Sequence, residues 1–150
     1  IINKDIWKFV GNGGLVINQY NTNRGLLTDE IAPFALKLGS SRISEEDAKL
    51  KILLPNHPVF NTPNKISEKD FENWVQERGL YFADSYDEKL IPLLEGNDVG
   101  ESPKQGILLA GKYGKGTYVY TGLSFFRELP AGVSGAYKLW MNVLALEARK

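Results

Sequence analysis

The sequence contains no cysteine and a single histidine, His57. Disulfide scaffolds, cysteine nucleophiles and Cys/His zinc sites are therefore excluded within this chain. It also carries no net charge, because Lys and Arg together number 18 and so do Asp and Glu. No basic excess is available to neutralise a phosphate backbone or to draw the chain onto an anionic membrane, so neither nucleic acid nor membrane insertion is expected. No apolar run approaches the roughly 18–20 residues of a spanning helix. Charges interrupt the first ten residues, which have neither the apolar stretch nor the cleavage site of a signal peptide. N-x-Ser/Thr sequons and Gly-x-Ser-x-Gly elbows are absent as well. What is present is a globular mixture, 43% hydrophobic and 24% charged over 150 residues, enough for one domain with a real core. The first residue is Ile, and the chain reads as cut from something longer.

Ile2, Ile6, Phe9 and Val10 recur at helical spacing, and Gly11-Asn12-Gly13-Gly14 supplies residues that stop a helix. Leu15-Val16-Ile17 follows as a short apolar strand, so the opening reads as a helix–strand unit of a parallel sheet whose earlier strand precedes Ile1. Leu50–Leu54 is a candidate strand ended by Pro55. Ser67-Glu68-Lys69-Asp70 has the form of a capping box and predicts a helix to about Gln76 that buries Phe71, Trp74 and Val75. Leu80-Tyr81-Phe82 reads as a strand, and residues 95–106 as a polar loop. Two strands, Ile107–Ala110 and Tyr118–Tyr120, flank a glycine hairpin turn at Tyr113-Gly114-Lys115-Gly116. The spacing predicts a final helix from Ser134 to about Glu147, with Lys138, Asn142 and Arg149 as its narrow polar stripe.

Candidate chemistry is sparse. His57 is the one imidazole available as a general base, and its Pro-Asn-His-Pro setting equally suits an ordinary turn histidine. The acidic run Glu45-Glu46-Asp47 fans around an axis at helical spacing and reads as a solvated helix start, so no metal site is expected. Neither glycine cluster opens a helix, which separates both from phosphate loops. The segment Trp74–Phe82 is richer, because it gathers an indole, an amide, a carboxylate, a guanidinium and a phenol within nine residues. That mixture suits a polyol: aromatic faces for apolar sugar faces, fixed polar groups for hydroxyls. In α/β sheets ligands bind beyond the carboxyl ends of strands, which adds the segment Asn18–Asn23 and Arg127. The candidate ligand-binding residues are thus Asn21, Asn23, His57, Trp74, Gln76, Glu77, Arg78, Tyr81 and Arg127. The alternative is that Trp74 is core and that Glu77 or Arg78 makes a structural ion pair.

Four blocks in this order carry a family resemblance: Gln19–Asn23, Pro55–Pro58, Trp74–Phe82 and Tyr113–Gly132. Together they resemble the C-terminal region of long bacterial PIG-L/LmbE-family deacetylase homologues, over nearly all of residues 5–145. The resemblance implies a class I glutamine amidotransferase-like domain: a flavodoxin-like, mostly parallel sheet with flanking helices and a C-terminal hairpin, lacking its N-terminal strands here. Amidotransferases use a Cys nucleophile, which this chain does not have, and the deacetylase zinc motif Ala-His-Pro-Asp-Asp is missing too. The resemblance therefore implies a non-catalytic accessory module of residues 1–150, without cofactor. Its expected partners are a carbohydrate ligand and a deacetylase domain in the same parent chain. It leans toward a periplasmic or extracellular parent, although the residues themselves do not specify a compartment. Two rivals stand beside this reading. A ThuA-like sugar-processing enzyme would use His57 and Glu77 as acid and base, which requires the two side chains to converge. A purely structural module would show a large exposed apolar patch.

Overall fold

In the computed structural model, which describes residues 2–146, the opening apolar spacing forms helix α1 (Ile2–Gly11), ended by Gly13 at φ +118°. The chain then runs through β1 (Leu15–Gln19), β2 (Leu36–Leu38), β3 (Arg42–Ile43), β4 (Leu50–Ile52) and two single 3-10 turns, Pro58–Phe60 and Glu68–Phe71. Four short strands follow, β5 (Gly79–Leu80), β6 (Ala83–Tyr86), β7 (Ile91–Pro92) and β8 (Leu94–Gly96). The hairpin β9 (Leu108–Tyr113) and β10 (Gly116–Thr121) precedes the one-turn α2 (Phe125–Glu128) and α3 (Ser134–Leu144).

The main sheet has the order β1-β10-β9-β7, and every residue of β10 is buried. Alternation along the strand sorts its side chains onto two faces. Tyr118 and Tyr120 pack with Leu90 and Leu109 beneath α1, where Trp7 meets the Tyr118 ring edge-on at 5.9 Å. Val119 packs on the other face with Leu108, Ala110 and the α3 residues Leu139 and Val143. Each such buried side chain contributes roughly 1.5–3 kcal/mol. Helices thus lie on both faces of this sheet.

The expected flavodoxin-like, mostly parallel sheet is not the architecture. Only β1 and β10 pair in parallel; β9 is antiparallel to both β10 and β7. The other strands form separate antiparallel pairs, β2–β6, β3–β5 and β4–β8. Parallel neighbours are usually joined by a helical crossover. Between β1 and β9 the described chain has two single 3-10 turns and no α-helix, so no helix packs such a crossover there and these two- to four-residue strands pair antiparallel.

Local expectations fail for equally physical reasons. The capping-box segment forms one 3-10 turn and no helix to Gln76. The Val75 N–H is taken by Glu128 Oε2 at 2.8 Å and the Gln76 N–H by Glu46 Oε1 at 2.6 Å, so distant carboxylates replace intrahelical acceptors. Phe71 and Trp74 are buried as expected, whereas Val75 is exposed. The Leu80–Phe82 strand is interrupted because Tyr81 lies in the left-handed region at φ +59°. Glu45-Glu46-Asp47 is loop and turn. Asn142 of α3, expected on the polar face, is fully buried, while Tyr137, Met141 and Leu144 are exposed. Arg149 and Glu147 lie outside the described residues. No described helix is long and apolar enough to cross a membrane.

Candidate functional site

The segment 74–82 is laid across the carboxyl end of β10. The Leu80 N–H donates to Gly122 O at 2.9 Å, and the Ser124 N–H donates to Arg78 O at 3.0 Å. This approach needs glycine, since a Cβ on Gly79 would stand 2.2 Å from the Gly122 carbonyl oxygen. Four non-glycine residues at positive φ belong to these loops: Tyr20 at +48°, Asn73 at +61°, Gln76 at +65° and Tyr81 at +59°. Such conformations cost on the order of 1 kcal/mol each and persist only where neighbours over-determine them. Here the neighbours are identifiable. The Tyr20 N–H donates to Thr121 O at 2.8 Å, continuing the β1–β10 ladder. The Tyr120 phenol donates to Tyr81 O, so a buried hydroxyl holds that loop.

Above this frame sits a mixed aromatic and charged cluster. The Tyr20 hydroxyl donates to Glu77 Oε1 at 2.6 Å, and Arg127 Nε donates to the same oxygen at 3.2 Å. The Tyr20 ring meets Phe126 at 4.6 Å and Tyr81 at 5.4 Å, both edge-on. The Arg127 guanidinium lies 4.9 Å from the centre of the Phe126 ring, which is 50% exposed. Burial, reinforced by the Glu77 carboxylate, pushes the Tyr20 phenol far above its ordinary pKa, so it remains a donor. Glu77 Oε2 and the Arg127 Nη groups have no protein partner among the described residues. The arrangement therefore offers an acceptor, a planar donor and three ring surfaces beyond the carboxyl ends of a parallel strand pair.

Beneath the cluster lie groups that hold rather than react. Ser124 is buried, and its hydroxyl donates to the backbone oxygens of Glu77 at 2.8 Å and Arg78 at 3.2 Å. Glu128 is 0% exposed; burial raises its pKa, while the Val75 N–H, the Ser124 hydroxyl and the charges of Arg78 and Arg127 pull it back. Trp74, 2% exposed, packs between Phe71 and Phe125 and donates from Nε1 to Asp70 O at 3.0 Å. It is a core residue and offers no platform to a ligand. Arg78 is buried too, with Nε on Ala48 O and Nη1 on Phe71 O.

The remaining sequence candidates scatter. Asn21 is half-buried in the loop directly after Tyr20. The Asn23 side chain donates to Ser40 Oγ at 3.1 Å, and its buried Oδ1 has no partner beside a cavity it lines with Ile31 and Leu36. Gln76 is exposed next to the cluster. His57 lies far away: its Nδ1 accepts from the Val59 N–H at 3.2 Å, and it lines a cavity with Lys112 and Thr117. That is the Gly116 end of β10, whereas Glu77 sits beyond the Thr121 end, about 13 Å along the strand at 3.3 Å per residue. His57 and Glu77 do not converge. Among the described residues no group of three or more His, Asp or Glu is arranged to hold a metal ion.

Sequence reasoning missed Tyr20, Phe126 and Glu128. Tyr20 follows an apolar strand directly, which placed it at a strand's carboxyl end. Phe126 was indistinguishable from Phe125, its buried neighbour. Nothing local marks Glu128 as buried, because the backbone N–H that it accepts from, that of Val75, lies 53 residues upstream.

These elements define a mixed-sheet α/β fold with helices on both faces. The sequence matches no protein-family model and no curated protein. Among solved structures it is similar to a cytoplasmic protein of Salmonella typhimurium, with a TM-score of 0.57 and 18% identity over 95% of this chain. The chain spans 58% of that protein's length. At this identity the likeness is one of fold.

Proposed function

We propose that the chain is a non-catalytic binding module for a carbohydrate or similar polyol, held at the Tyr20–Glu77–Arg127 cluster. The observation that carries the reading is the half-exposed cluster itself: a carboxylate fixed between a phenol and a guanidinium, ringed by Tyr20, Tyr81 and Phe126. Glu77 Oε2 accepts from sugar hydroxyls, Arg127 donates to them, and Phe126 takes an apolar sugar face. Binding without catalysis is favoured because Ser124 spends its hydroxyl on backbone carbonyls and the one imidazole lies at the other end of β10. An accessory role beside a deacetylase domain rests on the sequence resemblance alone.

The test is an NMR titration of the chain with a panel of neutral mono- and oligosaccharides. Saturable shifts at Phe126, Arg127 and Tyr20 are expected, and Phe126→Ala or Arg127→Ala should remove them while the fold persists. Shifts absent for every glycan, or unchanged in both variants, would refute the site.

A further inference from the structure

A further cavity lies beside the chain segment that carries Glu77, and it is independent of the polyol reading. Its volume is about 320 Å³, and its lining includes Asp47, Lys49, Glu68, Lys69, Glu72 and Arg78. That is near the lower bound of roughly 300–1,000 Å³ for small-molecule sites, which suits a small occupant. Arg78 is only 3% exposed. Its Nε and Nη1 are spent on the carbonyls of Ala48 and Phe71, both of which also line the cavity. Its Nη2 has no partner among the described residues, and none of their carboxylates lies within 4.0 Å of the guanidinium.

A buried guanidinium ordinarily meets a carboxylate through parallel hydrogen bonds. Here Glu128, Asp47 and Glu46 act on it only through space, and burial lowers its pKa. The cavity thus presents unspent, in-plane donor capacity that a carboxylate would complete. The exposed residues at its rim argue against a dianion. Lys49, Lys69 and Arg78 are balanced by Asp47, Glu68 and Glu72, so the lining is neutral overall and holds both signs. We propose that this cavity binds a small zwitterion, its carboxylate on Arg78 and its ammonium among the rim carboxylates.

The experiment titrates the intact chain with glycine and β-alanine, and separately with acetate, methylammonium and inorganic phosphate, at constant ionic strength. The readouts are the Arg78 Nε–H and the Ala48 and Glu72 amide resonances. At least one amino acid should give saturable shifts, acetate weaker ones and methylammonium none. Asp47→Asn and Glu72→Gln, both at exposed positions, should each weaken the amino acid about fivefold, the scale of an exposed ion pair, and tighten acetate. Arg78→Lys should abolish binding; if that variant does not fold, the two rim variants decide. Absence of amino-acid shifts, tighter binding of phosphate than of either amino acid, or amino-acid affinity unchanged in both rim variants would overturn the proposal.

Discussion

At its Gly116 end β10 closes into a glycine hairpin and is flanked by apolar residues around His57, whereas at its Thr121 end it receives loops held at positive φ. The first end is regular ladder and needs little outside it. The second is maintained by long-range polar bonds, from Tyr120 to Tyr81, from Glu128 to Val75 and from Glu46 to Gln76. Regular pairing satisfies its own backbone groups, so it leaves few side chains committed and few exposed in fixed poses. Loops must be satisfied by side chains, and the same side chains then present rigid chemistry to solvent. On the proposed reading, the strained loops mark the Thr121 end and not the histidine as the place for a ligand.

The contrast can be broken experimentally. The largest effect is expected for Gly79→Ala, whose new Cβ collides with the Gly122 carbonyl; unfolding in urea should show a loss of about 3 kcal/mol. Glu128→Ala comes next, at about 2 kcal/mol in the same assay, because it leaves the part-buried Val75 N–H without its acceptor and empties a fully buried position. Glu128 also sets a pH signature. Its folded pKa is raised, so its contribution is fully present below the ordinary carboxylate value and is lost as pH rises through the folded value. Glu128→Gln should remove that decline, seen as a smaller difference between the variant and the parent chain at higher pH. Tyr20→Phe removes one bond to a carboxylate that keeps Arg127 and should cost about 1 kcal/mol. At the regular end, Thr117→Val loses only its contact with Lys112 and should change stability by about 0.5 kcal/mol or less, leaving saccharide titrations untouched. A Thr117→Val loss matching that of Glu128→Ala would erase the distinction between the two ends.

Local signals in the sequence served the regular end well. The α1 spacing, the glycine stop and the hairpin turn around Gly114 are short-range patterns, and each element forms at that place with ends shifted by a few residues. The Thr121 end was half legible. Glu77 and Tyr81 stand out by composition and Arg127 by its place after a strand, and the three assemble, but Trp74 and Arg78, marked by the same composition, serve the core and the cavity beside Ala48. Composition cannot separate an indole that faces solvent from one that faces Phe125. Sheet direction was misread for a related reason, since a short apolar run looks the same in a parallel or an antiparallel pair. A helix packed in the crossover separates the two cases, and long-range carboxylates keep the segment 68–76 from forming one.

The Asn142 carboxamide has a consequence for how α3 finds its orientation. Its Nδ2 donates to Val59 O at 2.8 Å and Asn64 O at 2.7 Å, while its Oδ1 accepts from the Asn64 N–H at 2.8 Å. α3 turns Ala136, Leu139 and Val143 inward, yet it leaves Met141 and Leu144 exposed, so its apolar residues are not confined to one face. The amide singles out one azimuth, because any other strands its donors and those of Asn64 in an apolar layer.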